Sequence, residues 1–528
     1  MKLPVISALL LFTLSLSACS FDRGSAEDPR YTDEIDLRMD AIGSYSMSIT
    51  TNGLEVQKYF DQGLQLMYAF GRNYASRSFR EGWKRDSTCA MCHWGEAWAL
   101  GPNINSGMRS MHNERAYEAI QKSLTLAGEG HATVKEMALI EAMAHRYPAP
   151  GSSLNRREAD KAYALAMENV HNQFPDSPDV STIYAEALFI LEPRHTAKNL
   201  DDPGMIPIYE LLENVNSYMM HPGACHLYIH AIESTSEPER GLECASYLAT
   251  AMPGASHINH MPSHIWNQVG MWNESVRTSI NAWHADLKAE AGLGFSIYSH
   301  HNLHMLMFAA SYDGQGAIAI QAGKDFAKTN GNEVYKALAL VRFGRFNEIL
   351  NLRNRPSSEG FAALWDFAQG YAALRTDDLR KAERTLSNIQ STADNSSSRI
   401  SKHSTEEILN VVTGILEGEI LRTKGDLEGA REAFEKSIQW YDALEYNEPE
   451  ILPFSPRHWL GNLLLEMKFY QEAEQVYLEE LEQHPNNGWS LFGLKKALRE
   501  QNKPYESVME QWKEAWARSD TWIVSSRF

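Results

Sequence analysis

From about Leu54 to the C-terminus, apolar residues recur every three or four positions, and the apolar stretches are broken by short turns rich in Gly, Pro, Asn and Asp. That period belongs to amphipathic helices, each with one face to bury. No convincing run of strand-like alternation interrupts it. The helices also recur in a fixed order. Gly425-Asp426-Leu427-Glu428-Gly429-Ala430-Arg431-Glu432-Ala433-Phe434 reads as a tight turn and the start of a helix carrying an aromatic. Lys468-Phe469-Tyr470-Gln471-Glu472-Ala473, with Tyr477, repeats it, and Lys503-Pro504-Tyr505, with Trp512, repeats it more weakly. Phe434 and Tyr477 are 43 residues apart, Tyr477 and Trp512 35. Arg342-Phe343-Gly344-Arg345-Phe346 and Asp377-Asp378-Leu379-Arg380-Lys381-Ala382 present the same turn upstream.

These segments resemble tetratricopeptide repeats, whose period is about 34 residues, with one insertion after Phe434. The expected fold is all-α, an α-solenoid of tetratricopeptide-like helix pairs, because no single pair can bury its apolar face alone. The N-terminal half reads as a divergent version, with Phe60-Asp61-Gln62-Gly63-Leu64, Phe79 and Trp94-Gly95-Glu96-Ala97 at repeat-like positions. Cys89-Ala90-Met91-Cys92-His93-Trp94-Gly95, His221-Pro222-Gly223, His260-Met261-Pro262-Ser263-His264 and His301-Asn302-Leu303-His304 together resemble a family of exported bacterial tetratricopeptide-repeat lipoproteins. The resemblance covers most of the chain after residue 50; it implies the fold and supplies no catalytic residue. The division expected is a signal peptide over 1–18, a tether over 19–45, a divergent His-bearing solenoid over 46–310 and a second solenoid over 311–528.

At 528 residues the chain exceeds a single compact core, and 43% hydrophobic residues suit a folded protein. A formal charge of −19 gives no bulk attraction for nucleic acid or anionic lipid. Lys2, the apolar stretch from Val5 to Leu16, and Leu16-Ser17-Ala18-Cys19 read as a secretory signal ending in a lipobox. Cys19 is then the expected lipidation site, and Ser20 after it favours an outer-membrane lipoprotein facing the periplasm. Four cysteines remain. Cys225 with Cys244 is the pairing expected, while Cys89 and Cys92 stand too close within a helix to pair easily.

Composition changes the functional picture most through histidine. Ten of the nineteen histidines fall between His221 and His304. His226 and His230 lie four apart with Glu233 three further on, which puts all three on one helix face. His264 opens a following leading helix after Pro262, with His257 and His260 in the turn before it. His301 and His304 lie on the next. From His226 to His264 is 38 residues and from His264 to His301 is 37, about one repeat each, so imidazoles from three successive groove-lining helices should converge. His226, His230, Glu233, His260, His264, His301 and His304 are therefore candidate transition-metal ligands, with Glu186 one helix earlier as an extension. Neutral imidazole suits Zn or Cu, and Met261, Met305 and Met307 keep copper in view. Leu227 stands where a zinc protease would carry its glutamate base. Against this stands the reading in which these histidines only pack and hydrogen-bond between helices, or bind an organic anion in the groove.

Cys89-Ala90-Met91-Cys92-His93 also fits the attachment pattern of c-type haem, with Cys89 and Cys92 as thioether donors and His93 as axial ligand; a plain repeat helix explains it too, as does His93 or Cys92 binding another metal. Asn103 and Asn105 could meet a ligand or simply make a turn. His284, Ser299 and His300 read as bystanders. No phosphate loop, dinucleotide fingerprint or GxSxG elbow is present. Three function classes follow: an envelope metalloprotein, hydrolytic or oxidative if it is an enzyme; a scaffold holding a peptide or protein partner in its groove; and a cytochrome.

Overall fold

The computed structural model describes residues 28–193 and 196–528; the expected signal peptide and Cys19 lie outside them. Helices dominate, and most pack on the next in the chain. Leu54–Tyr68 packs on Arg72–Arg85, which packs on Ala90–Leu100, and the alternation runs on to Gly488–Glu500 and Glu506–Ala515. Capping boxes start several of them: Thr133 with Glu136, Asn155 with Glu158 and Ser404 with Glu407 each exchange side-chain and backbone bonds, satisfying amide donors that a helix start leaves unpaired. Two short strands, Arg399–Ile400 and His403–Ser404, form the single sheet among the described residues. The chain is an all-α solenoid of helix pairs.

A glycine-aromatic register repeats along it. Phe79 fills the space left by Gly63 on one side and Gly95 on the other; a Cβ on either glycine would stand 2.5 Å from its ring. Tyr477 does the same between Gly461 and Gly493, and Phe434 lies against Gly418. In every case glycine and aromatic are 16 residues apart. The divergent N-terminal half is thus built on the same lattice as the C-terminal half, and the missing side chains let neighbouring helices close on one buried ring.

Two apolar cores run through the stack, one from Tyr31 to Ile297 and one from Val276 to Ala497. Long-range contacts tie distant repeats together. Trp489 Nε1 donates to the Ser311 carbonyl at 3.0 Å, Trp272 Nε1 donates to the Pro485 carbonyl at 2.9 Å, and Arg518 pairs with Asp313 at 2.8 Å. The C-terminal residue packs on the stack, the Tyr371 hydroxyl donating to the Phe528 carbonyl at 2.6 Å. The described part of the expected tether, 28–45, packs on the N-terminal half, reaching from Arg72–Arg85 to Gly254. Tyr31 and Ile42 are buried, and the Gly254 amide donates to the Ala41 carbonyl at 2.7 Å. Among the described residues no helix is long and apolar enough to cross a membrane.

Two departures from regular pairs position the site. The first is at Met261-Pro262, where the proline ring lacks an N–H and the leading helix splits into Ser256–His260 and Pro262–Gln268. The second is the segment 443–456, between helices Leu427–Asp442 and Arg457–Glu466. It carries the extra residues between Phe434 and Tyr477 and reaches back over the leading helices of the N-terminal half.

Candidate metal centre

Three leading helices, Pro222–Ile232, the split Ser256–Gln268 element and Ser299–Tyr312, present their histidines to one another. One ring nitrogen from each of His226, His230 and His257 lies within 4.8 Å of the other two, and the same holds for His260, His264 and His301. A third set, His230, Glu233, His264 and Glu448, overlaps both. Ring centroids run in a chain: 5.1 Å from His226 to His230, 4.9 Å from His226 to His257, 4.8 Å from His257 to His260, 4.9 Å from His260 to His264 and 4.7 Å from His260 to His301. His226 and His260 are fully buried and His301 is half-buried. Phe70 closes the inner wall, its ring 4.1 Å from that of His226 and parallel to that of His230.

One nitrogen of most of these rings is spoken for. The Tyr68 carbonyl, which can only accept, receives the His226 Nδ1 hydrogen at 2.5 Å. Glu233 Oε1 accepts from His230 Nδ1 at 3.1 Å, while Glu233 Oε2 accepts from His264 Nδ1 and from the Tyr446 hydroxyl at 2.7 Å. Glu448 Oε2 stands 3.1 Å from His264 Nδ1. His257 Nδ1 and His260 Nε2 are 2.8 Å apart. The remaining nitrogens, Nε2 of His226, His230, His257 and His264 and Nδ1 of His260, are buried and have no hydrogen-bond partner. An unpaired buried donor or acceptor costs about 1–3 kcal/mol, so most buried polar groups that merely pack are hydrogen-bonded. Lone imidazoles elsewhere, His112 among them, also carry one such nitrogen; here five lie in contiguous rings.

Burial sets the charge of the cluster. It holds His226, His257 and His260 well below the usual imidazole range, with neighbouring imidazoles adding to the effect. Burial, then the charge of His264, pushes His301 down to about 3. His264 goes the other way. Burial pulls it down, but the Glu233 carboxylate and then Glu448 outweigh that and raise it to about 10. Glu233 in turn is lowered, the two imidazoles overcoming its desolvation. The arrangement is a set of neutral donor rings arranged about one ion pair that favours positive charge at His264.

Most of the sequence-predicted ligands meet here, and some do not. His304 stands apart from all three sets: its ring packs at 4.0 Å on that of Tyr335, which belongs to the next leading helix, Val334–Arg342. Glu233 accepts from two imidazoles, an orienting role. Glu186, expected to extend the shell, instead accepts from Trp98 Nε1 at 2.9 Å. His221 caps its own helix, accepting from the Ala224 amide at 3.0 Å, and His284 and His300 are exposed. Asn103 makes a turn, its Oδ1 accepting from the amides of Asn105 and Ser106; Asn105 lines a cavity.

Sequence reasoning set aside His257, which the short Ser256–His260 helix places three residues before His260 and seven before His264, on one face with both. It missed Tyr446 and Glu448 altogether. Their only trace was the overlong interval from Phe434 to Tyr477. The insertion is anchored by a second ion-pair group, in which His484 bridges Glu450 and Glu480 at 2.9 Å each. It also partitions the space in front of the cluster. A cavity of about 920 Å³ opens on His230, His301 and Glu233, and one of about 340 Å³ opens on His264 and Met305, with Tyr446 and Glu448 lining both.

No protein-family model matches the chain. No curated protein matches it either. Among solved structures it is similar to a human IFIT1 dimer with m7Gppp-AAAA, at 13% identity over 89% of this chain and 92% of that one, with a TM-score of 0.31. It is similar also to the TPR domain of P58(IPK), at 10% identity over 85% and 98% with a TM-score of 0.23, and to yeast Tom70, at 12% identity over 88% and 92% with a TM-score of 0.28. The likeness assigns no ligand to this chain.

The haem pattern meets a different environment from the one it needs. Cys89 and Cys92 are joined in a disulfide with their Cα atoms 5.4 Å apart. The expectation that they sit too close to pair fails because Cys89 is not in the helix: it caps Ala90–Leu100 with φ −68° and ψ 89°, and so swings its sulfur over the first turn. Both sulfurs are thereby used, both residues are fully buried, and His93 stacks on Trp83 at 5.3 Å. As arranged, these residues do not fit a porphyrin. Cys225 and Cys244 also form a disulfide, the pairing expected.

Proposed function

We propose that this chain is a metal-binding protein of the cell envelope that holds a transition metal on the histidines between His226 and His301 and presents it to the larger cavity. The observation that carries this reading is the group of buried imidazole nitrogens with no hydrogen-bond partner, three of them in rings whose other nitrogen is oriented by Tyr68 or Glu233. An orienting carboxylate behind a ligating imidazole is a recurrent feature of metal centres. All-imidazole sets suit Zn or Cu. An ion bound at His264 Nε2 would replace a proton there and keep the positive charge that Glu233 faces.

The test is the metal content of the full chain purified from membranes, by inductively coupled plasma mass spectrometry, beside a His230→Ala/His264→Ala double variant. We expect stoichiometric metal in the first and background in the second. Equal metal in both would end the reading.

The envelope location rests on the Cys19 lipobox and is supported by two disulfides, which persist in oxidising compartments. A Cys19→Ser variant should move from the membrane to the soluble fraction. The solenoid also suits a peptide or protein partner, and a chain that bound no metal but retained such a partner would favour that second reading.

A further inference from the structure

The cluster divides in a way that fixes how many ions it takes. We infer that it is two neighbouring metal sites, one formed by His226, His230 and His257 and the other by His260, His264 and His301, which compete through the proton shared by His257 and His260. This rests on the metal-binding reading above and goes beyond it in count, ligand assignment and coupling.

The division follows from which nitrogens are already used. Glu233 spends one oxygen on His230 and the other on His264, so a single carboxylate orients one imidazole of each trio and leaves each Nε2 to its own set. Tyr68 fixes His226 in the same way. Each trio also has its own wall. Phe70 lies against His226, His230 and His257, whereas His301, from the next leading helix, lies against His260 and His264. Within each trio one ring nitrogen of each histidine lies within 4.8 Å of one nitrogen of the other two, a span that small shifts of the rings can close onto one ion.

The coupling comes from one hydrogen bond. His257 Nδ1 and His260 Nε2 are 2.8 Å apart, so one of them donates and the other accepts. If His257 donates, its Nε2 is a lone pair and the first trio is complete, but His260 must then carry its proton on Nδ1 and cannot ligate through it. If His260 donates, the second trio is complete and His257 Nε2 is blocked. Both outer nitrogens act as donors to metal only when this bond is broken, since two N–H groups cannot face each other at that distance. The first ion therefore selects one tautomer, and the second binds more weakly, by about tenfold if the bond is worth roughly 1.4 kcal/mol.

The experiment is a Zn²⁺ titration of the metal-stripped full chain, followed by calorimetry and by metal counting after gel filtration, with His257→Ala and His301→Ala variants. We expect two ions per chain, bound in two resolved steps, and one ion in each variant. A single ion that both variants retain would place the metal on His230, Glu233, His264 and Glu448; the two-site inference would then fall while the metal-binding reading stood. No ion in the unsubstituted chain would end both. Two ions bound with equal affinity would overturn the coupling, and loss of all metal from a variant whose circular dichroism matches the unsubstituted chain would overturn the independence of the trios. Where alanine alters the circular dichroism, His257→Asn and His301→Asn repeat the count.

Discussion

Acid should unfold the metal-free protein, and the structure gives the size of the effect. His93, His301 and His304 are held by burial at about 4, about 3 and about 3, against an ordinary value of 6.5. Each stays neutral in the fold while the unfolded chain takes up a proton below 6.5. Their contribution to stability is therefore complete above pH 6.5 and falls by about 1.4 kcal/mol per pH unit below it, until the folded-state value is reached. At pH 5 each has cost about 2 kcal/mol. His226, His257, His260 and His458 are shifted in the same direction and add to the loss. His264 and His484, raised to about 10 by Glu233 and by Glu450, have the opposite sign. Their stabilisation is full below 6.5 and fades as pH rises towards 10, so each returns only about 1.4 kcal/mol on going from pH 7.5 to 5. The depressed imidazoles win. Guanidinium unfolding in the presence of a chelator, followed by tryptophan fluorescence at pH 7.5, 6.5 and 5.0, should show a small change across the first interval and a large fall in midpoint across the second. The midpoint is the quantity to compare, because a repeat chain of this length need not unfold in one step. A midpoint that is level or rising between pH 6.5 and 5.0 would refute the reasoning. A His304→Asn variant should recover part of the fall, since that imidazole stands outside all three candidate metal sets.

Glu233→Gln should destabilise the chain by about 3–5 kcal/mol, because it removes the charge facing His264 and turns an amide donor toward imidazole N–H groups; chemical denaturation reads this, and a change under 1 kcal/mol would mean that the ion pair is not formed. Gly493→Ala should cost about 1–3 kcal/mol by forcing a methyl into the Tyr477 ring, whereas Gly128→Ala, with open space around it, should be neutral or slightly stabilising in a thermal melt. Replacing Cys225 and Cys244 by alanine should cost roughly 3 kcal/mol from loop closure and replacing Cys89 and Cys92 less, since the shorter loop restricts the unfolded chain less; the reverse order in denaturant midpoints would contradict this.

The fold was legible because it is carried by local patterns. Helical period, turn residues and the recurring aromatics are all short-range; the 16-residue interval from Gly461 to Tyr477 and on to Gly493 lies in the chain too, and the structure brought it out. The site was legible in the same measure. His226 and His230 share a face by arithmetic, and His264 and His301 follow at nearly one repeat, so periodicity alone brought them together. Where the period breaks, reading stops. Met261-Pro262 splits the helix that carries His257, His260 and His264, and His304, only three residues from His301, packs instead on Tyr335 of the next leading helix. The Cys89–Cys92 bond escaped notice for a similar reason: a residue one position outside a helix has freedoms that helical spacing does not describe.

The insertion of 443–456 shows what a solenoid lattice cannot do by itself. Repeats place like residues on like faces, which is how three leading helices come to offer imidazoles to one cluster. They offer little that is unlike, and a cluster of rings alone supplies no anion to orient them and no wall in front. Glu233 supplies part of this from within the lattice. Tyr446 and Glu448 supply the rest from outside it, 213 residues beyond Glu233 in the case of Tyr446, on a loop held by the Glu450–His484–Glu480 group. If that loop serves the site, Tyr446→Phe should leave the global stability nearly unchanged, since one hydrogen bond is worth about 1 kcal/mol, yet alter metal retention by loosening the Glu233 carboxylate behind His230 and His264. The measurement is the Zn²⁺ off-rate to a chelator. A Tyr446→Phe chain that releases metal at the unsubstituted rate would show that the loop only covers the cluster, and that the lattice alone sets its affinity.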